Sequence, residues 1–273
     1  MSNSLLADVT LQQFDIALGF PIISESSGTI VFPSLGYTYV RSDTDLAFGG
    51  QGPVSEQSVS STTQLHNPNL KLTLVQELSA SWTLMALGGV GVASDFEGGF
   101  DRDGIVYTGL VMGNYAFSDR LTLGVGVLYS RIIGNPVTLP VVSVEWYFAR
   151  GQMRLKGFLP ARLSLDWKPA EPWIVSLGFA LSGQNYHLNE LDRNASISRA
   201  SLGPSVTYGL GPINIQVSGG YTFLRQLDVL DDSGNTVGDE GLDNGFIVNT
   251  TIWLGKQPWL EESPRAQNPP PEG

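Results

Sequence analysis

In the stretch YAFSDRLTLGVGVLYS, residues 115–130, Leu121, Leu123, Val125, Val127 and Tyr129 occupy every second position. Thr122, Gly124, Gly126 and Ser130 fill most of the positions between. A strand sends alternate side chains to opposite faces, so this one has an apolar face and a nearly bare one. A half-buried strand of a soluble sandwich would carry charged residues on its second face. The same period recurs in Leu70, Leu72, Leu74 and Leu78, in Ile105, Tyr107, Val111, Tyr115 and Phe117, and in Val142, Val144, Trp146 and Phe148. It returns in Trp173, Val175, Leu177, Phe179 and Leu181, and in Ile213, Ile215, Val217, Tyr221 and Phe223. The pattern predicts twelve strands, near 30–41, 65–79, 82–93, 105–117, 120–132, 137–148, 152–158, 161–168, 173–185, 196–209, 212–225 and 245–254. No segment longer than a turn shows helical periodicity.

The connections alternate as well. Short ones (79–81, 118–119, 149–152, 168–172, 210–212) take turns with mostly longer ones (43–62, 94–104, 186–195, 226–244), as in an up-and-down meander with tight turns at one end. Aromatic residues sort by height along the predicted strands. Trp82, Trp146, Trp167, Trp173 and Trp253, with Tyr115, Tyr147 and Tyr208, fall near the short-turn end; Tyr37, Tyr39, Tyr107, Tyr129, Tyr186 and Tyr221 fall near the long-loop end. Two aromatic belts one strand length apart are what a sheet crossing a bilayer needs, because amphipathic rings collect where hydrocarbon meets headgroups. The apolar face then meets lipid and the small or polar face looks into a lumen. A sheet in hydrocarbon must also close on itself to satisfy its edges.

Composition sharpens this expectation. Only 15% of residues are charged, while 32 are glycine and 6 tryptophan, against roughly 25% charged in an average soluble domain. The absence of cysteine excludes disulfide scaffolds, thiol nucleophiles and Cys-zinc sites. A net charge of -11 argues against nucleic acid as a partner. No apolar run is long enough for a spanning helix. The opening MSNSLLADVTLQQ lacks the basic and apolar regions of a secretory signal, so a signal peptide is not present in this sequence.

NYAFSDRLTLGVGVLYS (114–130) and SVEWYFARGQMRLKGFLPARLSLDWKP (143–169) resemble bacterial outer-membrane β-barrels, most closely uncharacterised barrel families known only as domains of unknown function. The resemblance runs from about residue 9 to 255 and rests on repeated features, with no catalytic signature. The expected fold is therefore all-β, a closed antiparallel up-and-down transmembrane β-barrel of about 12 strands (range 12–14). Residues 1–8 are expected to be a flexible N-terminus, 9–255 the barrel, with 9–23 as a plug or an extra strand, and 256–273 a Pro-rich disordered tail. The expected location is the bacterial outer membrane, and the expected function a narrow channel or binding barrel for a small solute. The alternatives are a barrel hydrolase acting on lipid or peptide, or a structural or adhesive barrel with acidic loops. A monomer in outer-membrane lipid is expected.

Three neighbouring predicted strands aim Glu145, then Arg154 and Lys156, then Arg162 and Asp166 inward. This cluster reads either as a charged constriction or as an ion-pair ladder stiffening the wall, since buried charges need partners. Acidic residues crowd the long loops. Asp95, Glu97, Asp101 and Asp103, in DFEGGFDRDG, suit a divalent cation in type but do not match the EF-hand register. Neither histidine, His66 or His187, has the spacing of a catalytic triad, so no enzyme activity and no cofactor are expected. Gly124, Gly126, Gly178 and Gly203 on the inner face suggest open interior space.

Overall fold

The computed structural model describes residues 6–24, 26–48, 57–96, 102, 104–131, 136–188, 193–230 and 236–254. The strands are β1 (Leu6–Gly19), β2 (Ile22–Ser24), β3 (Thr29–Phe48), β4 (Gln57–Glu77), β5 (Trp82–Val92), β6 (Ile105–Ser118), β7 (Leu121–Ser130) and β8 (Val137–Phe148). A one-turn 3-10 segment, Ala149–Gly151, leads into β9 (Met153–Leu159) and β10 (Arg162–Ala170). The remainder are β11 (Trp173–Leu188), β12 (Arg193–Leu210), β13 (Ile213–Leu230), β14 (Thr236–Leu242) and β15 (Gly245–Leu254). All belong to one antiparallel up-and-down sheet. β2 continues β1 along the same edge of β3, past Phe20 and Pro21. Proline fixes φ and offers no N–H, so the ladder breaks there. In the same way β15 continues β14 along β13. The segments thus occupy thirteen successive places, one more than the alternation predicts.

The extra place is the first. Residues 9–19 and 22–23 lie in β1 and β2, paired in register with β3 from Leu6↔Ala47 to Gly19↔Ser34 and from Ile22↔Val31, and so form an added strand at the edge of the sheet. Leu6–Asp8, expected as a flexible start, belong to this strand, and the tail 256–273 lies outside the described residues. The second difference is length. Much of the predicted loops 43–62, 186–195 and 226–244 is strand: β3 pairs with β4 as far as Phe48↔Gln57, β11 with β12 as far as Leu188↔Arg193. The extension SVSSTTQ, residues 58–64, is polar on both faces, so hydrophobic alternation cannot mark it. The third concerns closure. The ladder runs unbroken from β1 to the last strand but, among the described residues, does not join last to first.

The registers sort the faces. From β3 to β15 the outward positions include Leu35, Leu70, Val90, Val111, Val125, Trp146, Leu165, Leu177, Val206, Val217 and Val248, all exposed. Trp146 and Tyr129 thus face out, as do Trp82 and Tyr107. Tyr147 and Tyr186, expected in the belts, are buried inside at 9% and 1% exposure, and Trp253 pairs with the buried inward Asn214.

The interior is filled in two places. Leu110, Met112 and Val141 form one buried cluster, flanked by Met85, Leu87, Leu128 and Phe158. Val40, Leu65, Ala93 and Tyr186 form the other, with Val106 beside them. Glycine makes the first possible: a Cβ on Gly126 would strike the Val111 carbonyl oxygen and Met112. The expectation that inner glycines leave open space therefore fails at Gly124, filled by Asn114 and Ser143, and at Gly203, against Gly219 and Gly220. At Gly178 the nearest atoms are 4.0 Å from where a Cβ would sit.

Candidate functional site

β8, β9 and β10 stand side by side, and their registers place Tyr147 opposite Arg154, Arg154 opposite Asp166, and Glu145 opposite Lys156. Arg154 Nε and Nη2 both donate to Asp166 Oδ2, at 2.9 and 2.7 Å. Arg154 and Asp166 are 7% and 5% exposed. Arg154 Nη1 lies 3.8 Å from Glu145 Oε1, the Tyr147 hydroxyl donates to that oxygen at 3.0 Å, and the guanidinium sits 6.0 Å from the Tyr147 ring centroid. Charge-assisted bonds of this length are the strong kind, and they hold two charges that burial would otherwise penalise heavily.

The five expected residues do not form one shelf. Lys156 is exposed one inward step beyond Arg154. Arg162 is exposed four residues from Asp166 along β10, about 13 Å at the rise of a strand. Sequence parity put all five on one face; it carries no information on height, and height decides who meets whom. Of the expected cation ligands, Glu97, Asp101 and Asp103 lie outside the described residues. Asp95 accepts from Ser94 Oγ at 3.4 Å, and no group of three metal-ligating side chains occurs among the described residues.

A second interior locus lies at the long-loop end. There β11 runs past the end of its pairing with β10 and reaches Ala93–Asp95, just beyond β5, which stands six places away in the sheet. His187 N donates to Ala93 O at 2.9 Å and Asp95 N to His187 O at 3.3 Å, a parallel bridge between Ser94 and His187. On its other side Ser94 bridges His66 of β4, with N···O distances of 2.8 and 3.0 Å. Nearby, Asn185 Nδ2 donates to Arg131 O at 3.1 Å, and Arg131 Nη1 to Ile105 O at 3.2 Å. The two histidines have separate surroundings: His187 is buried, whereas His66 packs on Tyr39 and Phe96 and its Nδ1 lies 2.7 Å from the Tyr37 hydroxyl.

One signal for this locus was in the sequence. In β11 the outward residues carry odd numbers, from Trp173 to Leu181, so Tyr186 falls on the inner face. What a strand pattern cannot give is its partner, which lies 93 positions away for Ala93.

The family described as Domain of unknown function (DUF6268) matches residues 54–252. The chain belongs to this DUF6268 family. No curated protein matches the chain. The DUF6268 span takes in the Arg154–Asp166 pair, both interior clusters except Val40, and the Ser94–His187 bridge, while β1, β2 and β3 precede it.

Proposed function

We propose that this protein is a monomeric transmembrane β-barrel of a bacterial outer membrane that passes or binds a small solute through a constricted lumen. The observation that carries the proposal is the outward face. Between its aromatic residues it carries no Asp, Glu, Lys or Arg among the described residues of β3 to β13, while Val125 stands 68% exposed there and Val111 58%. A soluble monomer rarely exposes an apolar patch beyond a few hundred Å², and this one runs round the sheet. On β6, exposed Tyr107 and the Trp82-packed Tyr115 are eight residues apart, about 26 Å along the strand and about 20 Å in height once tilted, near the depth of a barrel's apolar band.

Hydrocarbon tolerates no open sheet edge, so on this reading the first and last strands meet. Cα atoms of β1 and β14 already come within 8 Å of each other. Arg199 of β12 reaches Gln13 of β1 at 3.1 Å, across the gap. The lumen favours small solutes, since Met112, Val141 and the Arg154–Asp166 pair occupy it.

The test is reconstitution. Purified protein is expected to remain folded only with detergent or lipid and to give small unitary currents or solute uptake in planar bilayers and vesicles. A monodisperse, folded species after complete detergent removal, with no lipid added, overturns the proposal.

A further inference from the structure

The strands differ in height around the sheet. β3 and β4 have 20 and 21 residues and β12 and β13 have 18 each, whereas β7, β9 and β10 have 10, 7 and 9. Above the short strands the two tall walls come together, and the Ser94–His187 bridge joins them. Just inside that junction Tyr186 packs with Val40, Leu65 and Ala93, none more than 3% exposed. Polar groups fringe this dry core: Thr38 is buried and donates to Asp15 Oδ1 at 2.6 Å.

We propose that this junction is the gate of the barrel: the β11–β12 hairpin closes the long-loop end by seating Tyr186 against Val40, Leu65 and Ala93, and parting of β11 from β5 opens it. The proposal rests on the pore reading above and adds where the passage closes. Apolar constrictions block ions by excluding water, so a Tyr186 plug suffices without a charge. The contact is local: just past β5, Ala93 and Asp95 meet His187 of β11 through backbone hydrogen bonds at 2.9 and 3.3 Å, and Asn185 bonds Arg131 O, whereas β11 and β12 pair along a full ladder. Beside it Phe96 holds φ 55, a left-handed conformation rare for a bulky residue, with its N–H bonded to Ser94 Oγ at 3.1 Å. Strained residues of this kind gather at switch points.

The chain contains no cysteine, so a double variant, Ser94→Cys with His187→Cys, carries the only thiols. Directly bridged residues lie about 5 Å apart at Cα, within reach of a disulfide. In planar bilayers, oxidation of this variant is expected to cut open probability at least about fivefold relative to the reduced form, reversibly with dithiothreitol. Tyr186→Ala, which leaves both bridge residues intact, is expected to raise open probability by a similar factor. Failure of the thiols to cross-link in the folded protein overturns the gate. Currents that are equal in oxidised, reduced and Tyr186→Ala proteins overturn it too and leave the pore standing. Silence of every folded variant, Tyr186→Ala included, overturns the pore reading itself.

Discussion

Replacing Asp166 by Ala leaves the Arg154 guanidinium buried without the carboxylate that accepts two of its N–H groups, at 2.9 and 2.7 Å. Both side chains are less than a tenth exposed, so solvent screening gives little relief. Removing one partner of such a pair typically costs about 3–5 kcal/mol, while replacing both with apolar residues of similar volume is often neutral. Glu145 is a poor substitute, being 38% exposed at 3.8 Å, so it offsets little of the loss and the expectation stays at about 3–5 kcal/mol. The double variant Arg154→Met with Asp166→Leu is expected to fall within about 1 kcal/mol of the parent. Reversible urea unfolding from lipid vesicles, followed by tryptophan fluorescence, measures all four corners of the cycle. If each single variant loses less than about 1 kcal/mol, water reaches the pair as it reaches a surface salt bridge, and the wall here is a wet constriction. If the double variant loses the sum of the singles, the two side chains are not coupled and the geometry is misread.

Val125→Lys separates membrane from water directly: in a bilayer an outward lysine near mid-depth costs about 2–4 kcal/mol, whereas in buffer an exposed site would tolerate it, so vesicle unfolding of this variant decides. Gly126→Val is expected to lose about 1–3 kcal/mol through overpacking against Met112, while Gly88→Ala and Gly109→Ala, with nothing within 4 Å of the added carbon, stay within about 0.5 kcal/mol; equal losses at all three would remove the packing argument. Glu145→Gln is expected to cost less than about 1 kcal/mol in the same assay, since its contact with Arg154 is long and partly solvated.

Alternation reveals a strand only where its two faces meet different surroundings. Leu121 to Tyr129 is legible for that reason, and Ser58 to Gln64 is not, because neither face there is greasy. Alternation does not mark the inner apolar cluster, because Leu110 and Met112 alternate with Val111 and Gly113, and a strand apolar on both sides lacks the contrast that Thr122 and Gly124 give. The adjacency of the strands that carry Arg154 and Asp166 is legible, since three successive strands force it; the pairing itself is not. The meeting of Ala93 with His187 depends on how tall walls lean over short ones, a property of the whole sheet that no local window contains.

The number of places in the wall has a consequence for self-association. Thirteen places make the first and last strands run in the same direction. Two molecules inserted with the same side outward could therefore exchange edges, first strand to last or first to first, only through parallel pairing, whose bonds are slanted and slightly weaker. An antiparallel exchange would require one molecule inverted relative to the other. Closing a molecule on its own edges needs the same parallel seam, so the odd count weakens closure and exchange alike, and only the tether of a single chain favours a molecule's own opposite edge.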